Sequence, residues 1–341
     1  MAIWLVRAGS SGEYETKFLE DGKIYLTWDG FNLDLSDIKS RTELTKNLSS
    51  TYPDAKKNTV KNWNSQIWQF VKEIVPGDWV VLPSKKKASI HIGEIKGGYV
   101  ANPKGPDPFF HYRDIKWFAT DIPRNNFAQD LLYSFGAFKT ICQISRHDAE
   151  MRIKAMKNNN WQAKTSATIK TKIDSEGDEQ IDLEEYARDQ IAKYIIRKFK
   201  GHGMARLVEA ILQAQGYTTY RSMEGPDKGV DILAAPAPMG FGKPRLCIQV
   251  KTGDTPVDRP TLDQLIGAIQ NFKADQGLLV SWSGFKQSVD KEIPSQFFNV
   301  RLWDQNSIIQ ELLENYEKLD DEIRAELPLK RIWTLAVSQE E

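Results

Sequence analysis

The sequence predicts an α/β (α+β) multidomain protein, with a small β-barrel in the N-terminal half and a helix-flanked mixed sheet in the C-terminal half. Three observations carry this. Residues 1–150 alternate short β-capable runs with Gly/Pro turns. Residues 151 to about 180 turn polar, through Asn158-Asn159-Asn160 and an Asp174–Glu179 acidic run, as a linker does. From residue 201 the apolar periodicities follow in the order α-β-β-β-α-β-α-β. The expected divisions are 1–150, a linker and connecting helix over 151–200, a second domain over 201–304 and a helical tail over 305–341.

In the N-terminal half, Ile3 to Gly9 reads as a strand closed by Gly-Ser-Ser-Gly, and Lys23 to Trp28 as another. Ser36–Leu48 and Asn58–Val75 are expected to be helical, the second with Val60, Trp63, Ile67, Trp68, Val71 and Val75 near helical spacing. Pro76-Gly77-Asp78 turns into the strand Trp79–Pro83. Lys85 to Lys87 makes a charged tip, and His91 to Ile95 returns. Tyr99-Val100 and Tyr112–Phe118 supply further strands. Six tryptophans fall before residue 120. Trp63, Trp68 and Trp79 keep an apolar period and are expected in the core.

After the linker, residues 182–200 read as a helix whose buried face is Leu183, Tyr186, Ile191, Tyr194, Ile195 and Phe199. Its end, Arg197-Lys198-Phe199-Lys200, complements the helix dipole or contacts DNA phosphates. Leu207, Ile211, Leu212 and Ala214 mark the next amphipathic helix, ended by Gly216. Thr218–Met223 is a strand. A helix starts at Pro260 or Thr261, Leu278–Trp282 is a buried strand, Val289–Phe298 a helix and Val300–Trp303 a last strand. Asp304 caps a helix running to Tyr316. The charged tail offers Leu327, Leu329, Ile332, Trp333 and Leu335 as a docking edge.

Composition narrows the function classes. Acidic and basic residues balance at 46 each, so any nucleic-acid surface must be local. Cys142 and Cys247 lie among apolar neighbours and read as buried thiols in a reducing compartment. Four scattered histidines give no metal-ligand spacing. No signal-peptide pattern and no apolar stretch of about 20 residues is present, which excludes a helical membrane span and leads to the expectation of a cytoplasmic protein.

The chemistry concentrates between Gly225 and Lys251. Asp231 opens an apolar run, Pro236 to Gly242 forces a turn, and Leu246–Val250 ends in Lys251. Gln249 and Lys251 sit two apart and so share a strand face, with Asp231 close to both. A carboxylate, an amide oxygen and an ammonium on one face of an apolar sheet are costly unless a divalent cation and an anionic substrate complete them. Gly277–Gly284 lacks the spacing of a phosphate loop, and Ser281, Ser283 and His202 lack a nucleophile elbow.

Gly229-x-Asp231 followed by Gln249-x-Lys251 resembles the Mrr-type branch of the PD-(D/E)xK nucleases, in which Gln often stands in the (D/E) position. The resemblance covers roughly residues 200–300. It takes in a first helix with Glu209, a later helix at Leu262–Ala268 and the strand Gly277–Phe285. The literal Pro-Asp pair is Pro226-Asp227, but spacing and the following apolar run favour Asp231. The resemblance implies a restriction-endonuclease-like mixed sheet and Mg2+-dependent hydrolysis of double-stranded DNA, with Mn2+ able to substitute. Asp231, Gln249, Lys251 and Glu209 would be catalytic. Asp231, Gln249 and the backbone carbonyl of Val250 would hold the metal.

The N-terminal half resembles EVE/PUA-like domains, β-barrel modules that take an extruded modified base into an aromatic pocket. The resemblance rests on Pro76 to Leu82, Ile92 to Ile95 and His111 to Trp117. Trp28 and Phe31 flank Asp29-Gly30 at a strand end, and we assign them to base stacking. The combined reading is restriction of foreign DNA carrying modified bases, with a homodimer for double-strand cutting. Two rivals are a repair or junction nuclease, and a non-catalytic reader of modified nucleic acid.

Overall fold

The computed structural model describes residues 1–137, 139–162, 183–222 and 229–333. The chain divides into two units, one over residues 1–186 and one over 187–334.

The first unit contains β1 (Ile3–Val6), α1 (Glu15–Asp21), β2 (Lys23–Leu26), α2 (Arg41–Thr51), α3 (Lys57–Trp68), β3 (Trp79–Pro83) and β4 (Ser89–Ile95). It continues through β5 (Val100–Ala101), β6 (His111–Pro123), α4 (Gln129–Phe135), β7 (Ile141–Gln143) and α5 (Ala149–Lys157). The sheet order is β2-β6-β4-β3-β1-β7, with β5 on β6; only β1 and β3 pair in parallel. Register shifts between β4 and β6 at Ile90–Gly93 bend the sheet. A Cβ at Gly93 would come within 2.6 Å of Ile115 and 2.8 Å of Trp117, so glycine permits this close crossing. The sheet curls, but its end strands β2 and β7 do not pair. It is a half-barrel where the sequence led us to expect a closed one.

Both faces of this sheet are covered, which is why β1 reads as an unbroken apolar run. Trp4 and Val6 face the core beneath α1 to α3, while Ile3 and Leu5 face a second core with α4 and α5. Buried polar side chains hold the strand ends. Asp78 is 3% exposed and accepts from the Ala2 amide at 2.7 Å, the Trp4 indole at 2.9 Å and the Val75 amide at 3.2 Å. Arg113 donates to the Phe70 and Val71 carbonyls at 2.7 and 3.0 Å. These lie in the π-helical turn Gln69–Glu73 after α3, so the guanidinium satisfies carbonyls that the helix leaves open. Burial pulls the Arg113 pKa down to about 10.

Several expectations shift. α2 begins at Arg41 because Ser40 caps it, accepting from the Glu43 amide. α1, α4 and β7 are additional elements. The linker expected from residue 151 starts with the body of α5, whose Ile153 and Met156 are buried; residues 163–182 lie outside the described residues.

α6 (Leu183–Phe199) crosses the boundary between the units. Ile195 and Phe199 are buried as expected, but Leu183 and Tyr186 are exposed, and Ala192 and Asp189 take the inner positions. The second unit continues with α7 (His202–Ala214), β8 (Tyr217–Arg221), β9 (Ile232–Pro236), β10 (Leu246–Lys251), α8 (Arg259–Asn271) and β11 (Gln276–Ser281). α9 (Gln287–Asp290), α10 (Ile293–Gln296), β12 (Val300–Trp303), α11 (Gln305–Asn315) and α12 (Asp321–Glu326) complete it. The sheet runs β12-β11-β10-β9-β8, parallel from β10 to β12 and antiparallel from β8 to β10. α7 and α11 pack on the face of Ile232, Ala234 and Ile248, and α8 on the face of Cys247 and Leu279.

Asp304 caps α11, accepting from the Ser307 amide at 2.9 Å. The helix expected over Val289–Phe298 is two short ones. The tail docks through Ile323 and Leu327, and Tyr316 donates to the Leu327 carbonyl; Ile332 and Trp333 stay exposed. Cys142 and Cys247 are buried free thiols. No helix among the described residues is long and apolar enough to cross a membrane.

His111 gives the first unit a pH dependence. It is 1% exposed, with Nε2 2.7 Å from the Phe31 carbonyl and Nδ1 2.7 Å from the Tyr99 hydroxyl. Burial lowers its pKa below the ordinary 6.5. Below that pH the unfolded chain binds a proton that the folded chain refuses, so stability falls as pH drops through 6.5. Denaturant unfolding across this range should show that loss in the wild type, and a shallower one in His111→Gln. Parallel pH profiles would contradict it.

Candidate active site

The site forms where β9 and β10 part. Their antiparallel ladder runs from Ala234 opposite Leu246 to Ile232 opposite Ile248, and ends with the Asp231 amide donating to the Ile248 carbonyl at 2.9 Å. The next donor on β10, the Val250 amide, meets a side chain: Asp231 Oδ2 accepts it at 2.6 Å. Along a strand the N–H and C=O of one residue point the same way and alternate between neighbours. The Lys251 carbonyl accepts from Trp282 on the β11 side at 3.0 Å. The Val250 carbonyl therefore points to the side of Asp231.

The strand period sets the rest. Ile248 and Val250 belong to the α7 side of the sheet, so Gln249 and Lys251 lie with Cys247 on the α8 side. Asp231 shares that parity through Leu233, the partner of Cys247. Gln249 is 2% exposed, and its Oε1 has no hydrogen-bond partner. Such an orphaned buried acceptor is uncommon and calls for a ligand or a cost in stability. Lys251 is half-buried, and its ammonium makes no hydrogen bond or ion pair among the described residues.

A support appears that sequence reasoning set aside. The Ser281–Phe285 stretch, considered above only as a phosphate loop or triad, clamps the end of β10. Besides the Trp282 bond, Ser283 Oγ donates to the Gly253 carbonyl at 2.5 Å, and the Val257 amide donates to the Gly284 carbonyl at 2.9 Å. Gly284 has a φ of +77°, which glycine adopts without strain. The Ser-Trp-Ser-Gly composition signals a turn, but no local pattern shows which strand it braces.

Among the described residues no three His, Cys, Asp or Glu side chains converge. A cation here would rest on one carboxylate, one amide oxygen and one backbone carbonyl. All three are hard oxygen donors, a set that suits Mg2+ better than a soft metal. The orphaned Gln249 oxygen fits that use.

Glu209 is not brought to this group. Its helix, α7, packs on the opposite face of the sheet. Its carboxylate accepts from Thr219 Oγ1 at 2.9 Å and pairs with Arg221 at 3.2 Å, both on β8. Phe31 is 1% exposed in the core under α2 and α3, its ring 5.7 Å from that of His111. In this structure it is a packing residue. Trp28 is half-buried at the rim of the same core, beside the exposed Asp29-Gly30 turn. Asp227 lies outside the described residues.

Residues 196–312 match the family model of the Mrr catalytic domain, described as a restriction endonuclease. They form an Mrr-type restriction endonuclease domain. Residues 4–145 match a domain of unknown function (DUF8426). Among solved structures, the DNA modification-dependent restriction endonuclease AspBHI is similar at 14% identity and a TM-score of 0.34, over 80% of this chain and 73% of that one. The MspJI restriction endonuclease in complex with a 27-mer oligonucleotide is similar at 13% identity and a TM-score of 0.32, over 96% and 80%. No curated protein matches the chain. The Asp231–Lys251 hairpin falls inside the Mrr-type domain, with β8 to β12 as its sheet.

The Gln249 geometry predicts an asymmetry between stability and use. Gln249→Leu removes a buried acceptor that the fold leaves unsatisfied, so urea unfolding should show a loss of no more than about 1 kcal/mol. A loss of several kcal/mol would show that the amide is a structural bond.

Proposed function

We propose that the chain is a Mg2+-dependent endonuclease that restricts foreign DNA carrying modified bases. Residues 1–150 would act as an EVE/PUA-like reader of an extruded base, and the Mrr-type domain would cut nearby. The observation that carries the nuclease chemistry is the notch between β9 and β10. There Asp231, the Val250 carbonyl and the unpartnered Gln249 oxygen lie at one strand end, with Lys251 beside them.

Asp231, Gln249 and the Val250 carbonyl are the residues that would hold the cation; Mn2+ should substitute for Mg2+. A bound divalent cation supplies charge neutralisation at the phosphoryl oxygens and Lewis acidity toward water. The amide of Gln249 keeps the site less negative than a second carboxylate would, which favours approach of the polyanion. Lys251 sits two residues further along the same face and can donate to a phosphoryl oxygen as charge builds there, or orient the attacking water. Glu209, held by Thr219 and Arg221, would bear on the site through β8. One site cuts one strand, so double-strand cleavage requires a homodimer or two molecules meeting on the duplex.

Base reading rests on the resemblance of the N-terminal half and on Trp28, whose half-buried ring flanks an exposed turn. Extrusion costs a few kcal/mol, which stacking and edge hydrogen bonds must offset.

A cleavage panel tests this reading: modified duplex, plain duplex and a branched junction, each with Mg2+. The wild type should cut modified duplex preferentially. Asp231→Ala and Lys251→Ala should lose cleavage and keep duplex binding. Trp28→Ala should lose about five- to hundredfold in affinity for modified DNA, the equivalent of roughly 1–3 kcal/mol of stacking. Junction preference would favour a repair enzyme, and binding without cutting a non-catalytic reader. Full Mg2+-dependent activity in Asp231→Ala would remove the assignment.

A further inference from the structure

A second group of charged side chains lies at one rim of the N-terminal sheet and takes no part in the nuclease chemistry. Arg7 follows β1, Lys85 is in the β3–β4 turn, and Arg124 follows β6. All three meet the Glu185 carboxylate: Arg124 Nη1 at 2.9 Å from Oε1, and Lys85 Nζ at 3.2 Å and Arg7 Nη2 at 3.9 Å from Oε2. The Arg7 and Arg124 side chains are 5% and 7% exposed, and that of Glu185 is 15% exposed.

The sheet positions these cations without help from Glu185. Arg7 donates to the Phe135 and Ala137 carbonyls at 3.0 and 2.9 Å. The turn carrying Lys85 is held by Ser84, which donates to Glu15 at 2.9 Å and accepts from the Lys86 and Lys87 amides. The carboxylate arrives from the first turn of α6, 100 residues beyond Lys85. Burial pushes the Glu185 carboxyl up, and Arg124, Lys85 and Arg7 together hold it below the usual range. Two guanidiniums and an ammonium around a pair of oxygens match the two non-bridging oxygens of a phosphodiester.

We propose that Arg7, Lys85 and Arg124 form a binding site for a DNA backbone phosphate, and that Glu185 occupies it in cis until DNA displaces it. The proposal rests on the reading that the chain binds DNA. Glu185 stands in for the phosphate, and binding at this site releases the first turn of α6.

The test is duplex binding by the full chain across a salt series. Glu185→Gln removes the competing charge with little change of shape. It should bind about fivefold tighter or more, and its log K against log salt should steepen by about 0.9 for one added phosphate contact. Adding Arg124→Gln to that variant should cancel both gains. An unchanged affinity and slope in Glu185→Gln, or a gain that survives loss of Arg124, overturns the proposal. If Glu185→Gln does not fold, hydrogen exchange in the wild type decides. Amides 183–188 should exchange faster with duplex present, and equal or slower exchange overturns it. If no form binds duplex, the DNA reading itself fails, and inorganic phosphate tests the site alone. Phosphate should raise the Tm of Glu185→Gln more than that of the double variant, and equal shifts overturn the site.

Discussion

One hydrogen bond organises the nuclease sheet: the Asp231 carboxylate takes the Val250 amide where the next strand partner would stand. Because a side chain fills that role, β9 leaves the ladder without stranding a buried donor. The Val250 carbonyl is then directed to the side of the carboxylate, and the strand period puts Gln249 and Lys251 together on one face. The Ser281–Phe285 turn braces the far side of β10, so the separation occurs at one residue and does not fray the strand. A site built this way is held by backbone geometry, and a cation there would meet oxygens already in place.

The N-terminal unit uses buried charge differently. Asp78 and Arg113 close backbone groups at strand and helix ends, and His111 bridges Tyr99 and the Phe31 carbonyl. Removing one partner from such a set leaves a buried group unsatisfied at a cost of roughly 1–3 kcal/mol. These groups explain why the Pro-Gly-Asp-Trp and His-Tyr-Arg stretches stand out in the sequence: they fix the half-barrel. Glu185 among Arg7, Lys85 and Arg124 is of another kind, because its carboxylate comes from a distant helix and not from the sheet it neutralises.

The hairpin and the order of elements after residue 201 were legible because apolar period and Gly/Pro punctuation act locally. Asp304 could be read as a cap for the same reason. Sheet closure was not, since it depends on whether β2 meets β7, strands far apart in sequence. Phe31 looked like a pocket residue because it follows a Gly turn; only the packing of α2 and α3 over it makes it core. Glu209 has the helical position the family pattern asks for, and the face of the sheet that α7 covers puts it with Thr219 and Arg221. Gln249 was readable as a residue type, but the lack of a partner for its oxygen is a property of the folded chain.

The central claim is that a divalent cation belongs between Asp231, Gln249 and Val250. Crystals grown with Mn2+ and examined by anomalous diffraction test it most directly. The account predicts a peak within bonding distance of the Asp231 carboxylate, the Gln249 Oε1 and the Val250 carbonyl, lost in Asp231→Ala. Mn2+ bound elsewhere in the Mrr-type domain, with the Gln249 oxygen still unliganded, would contradict it.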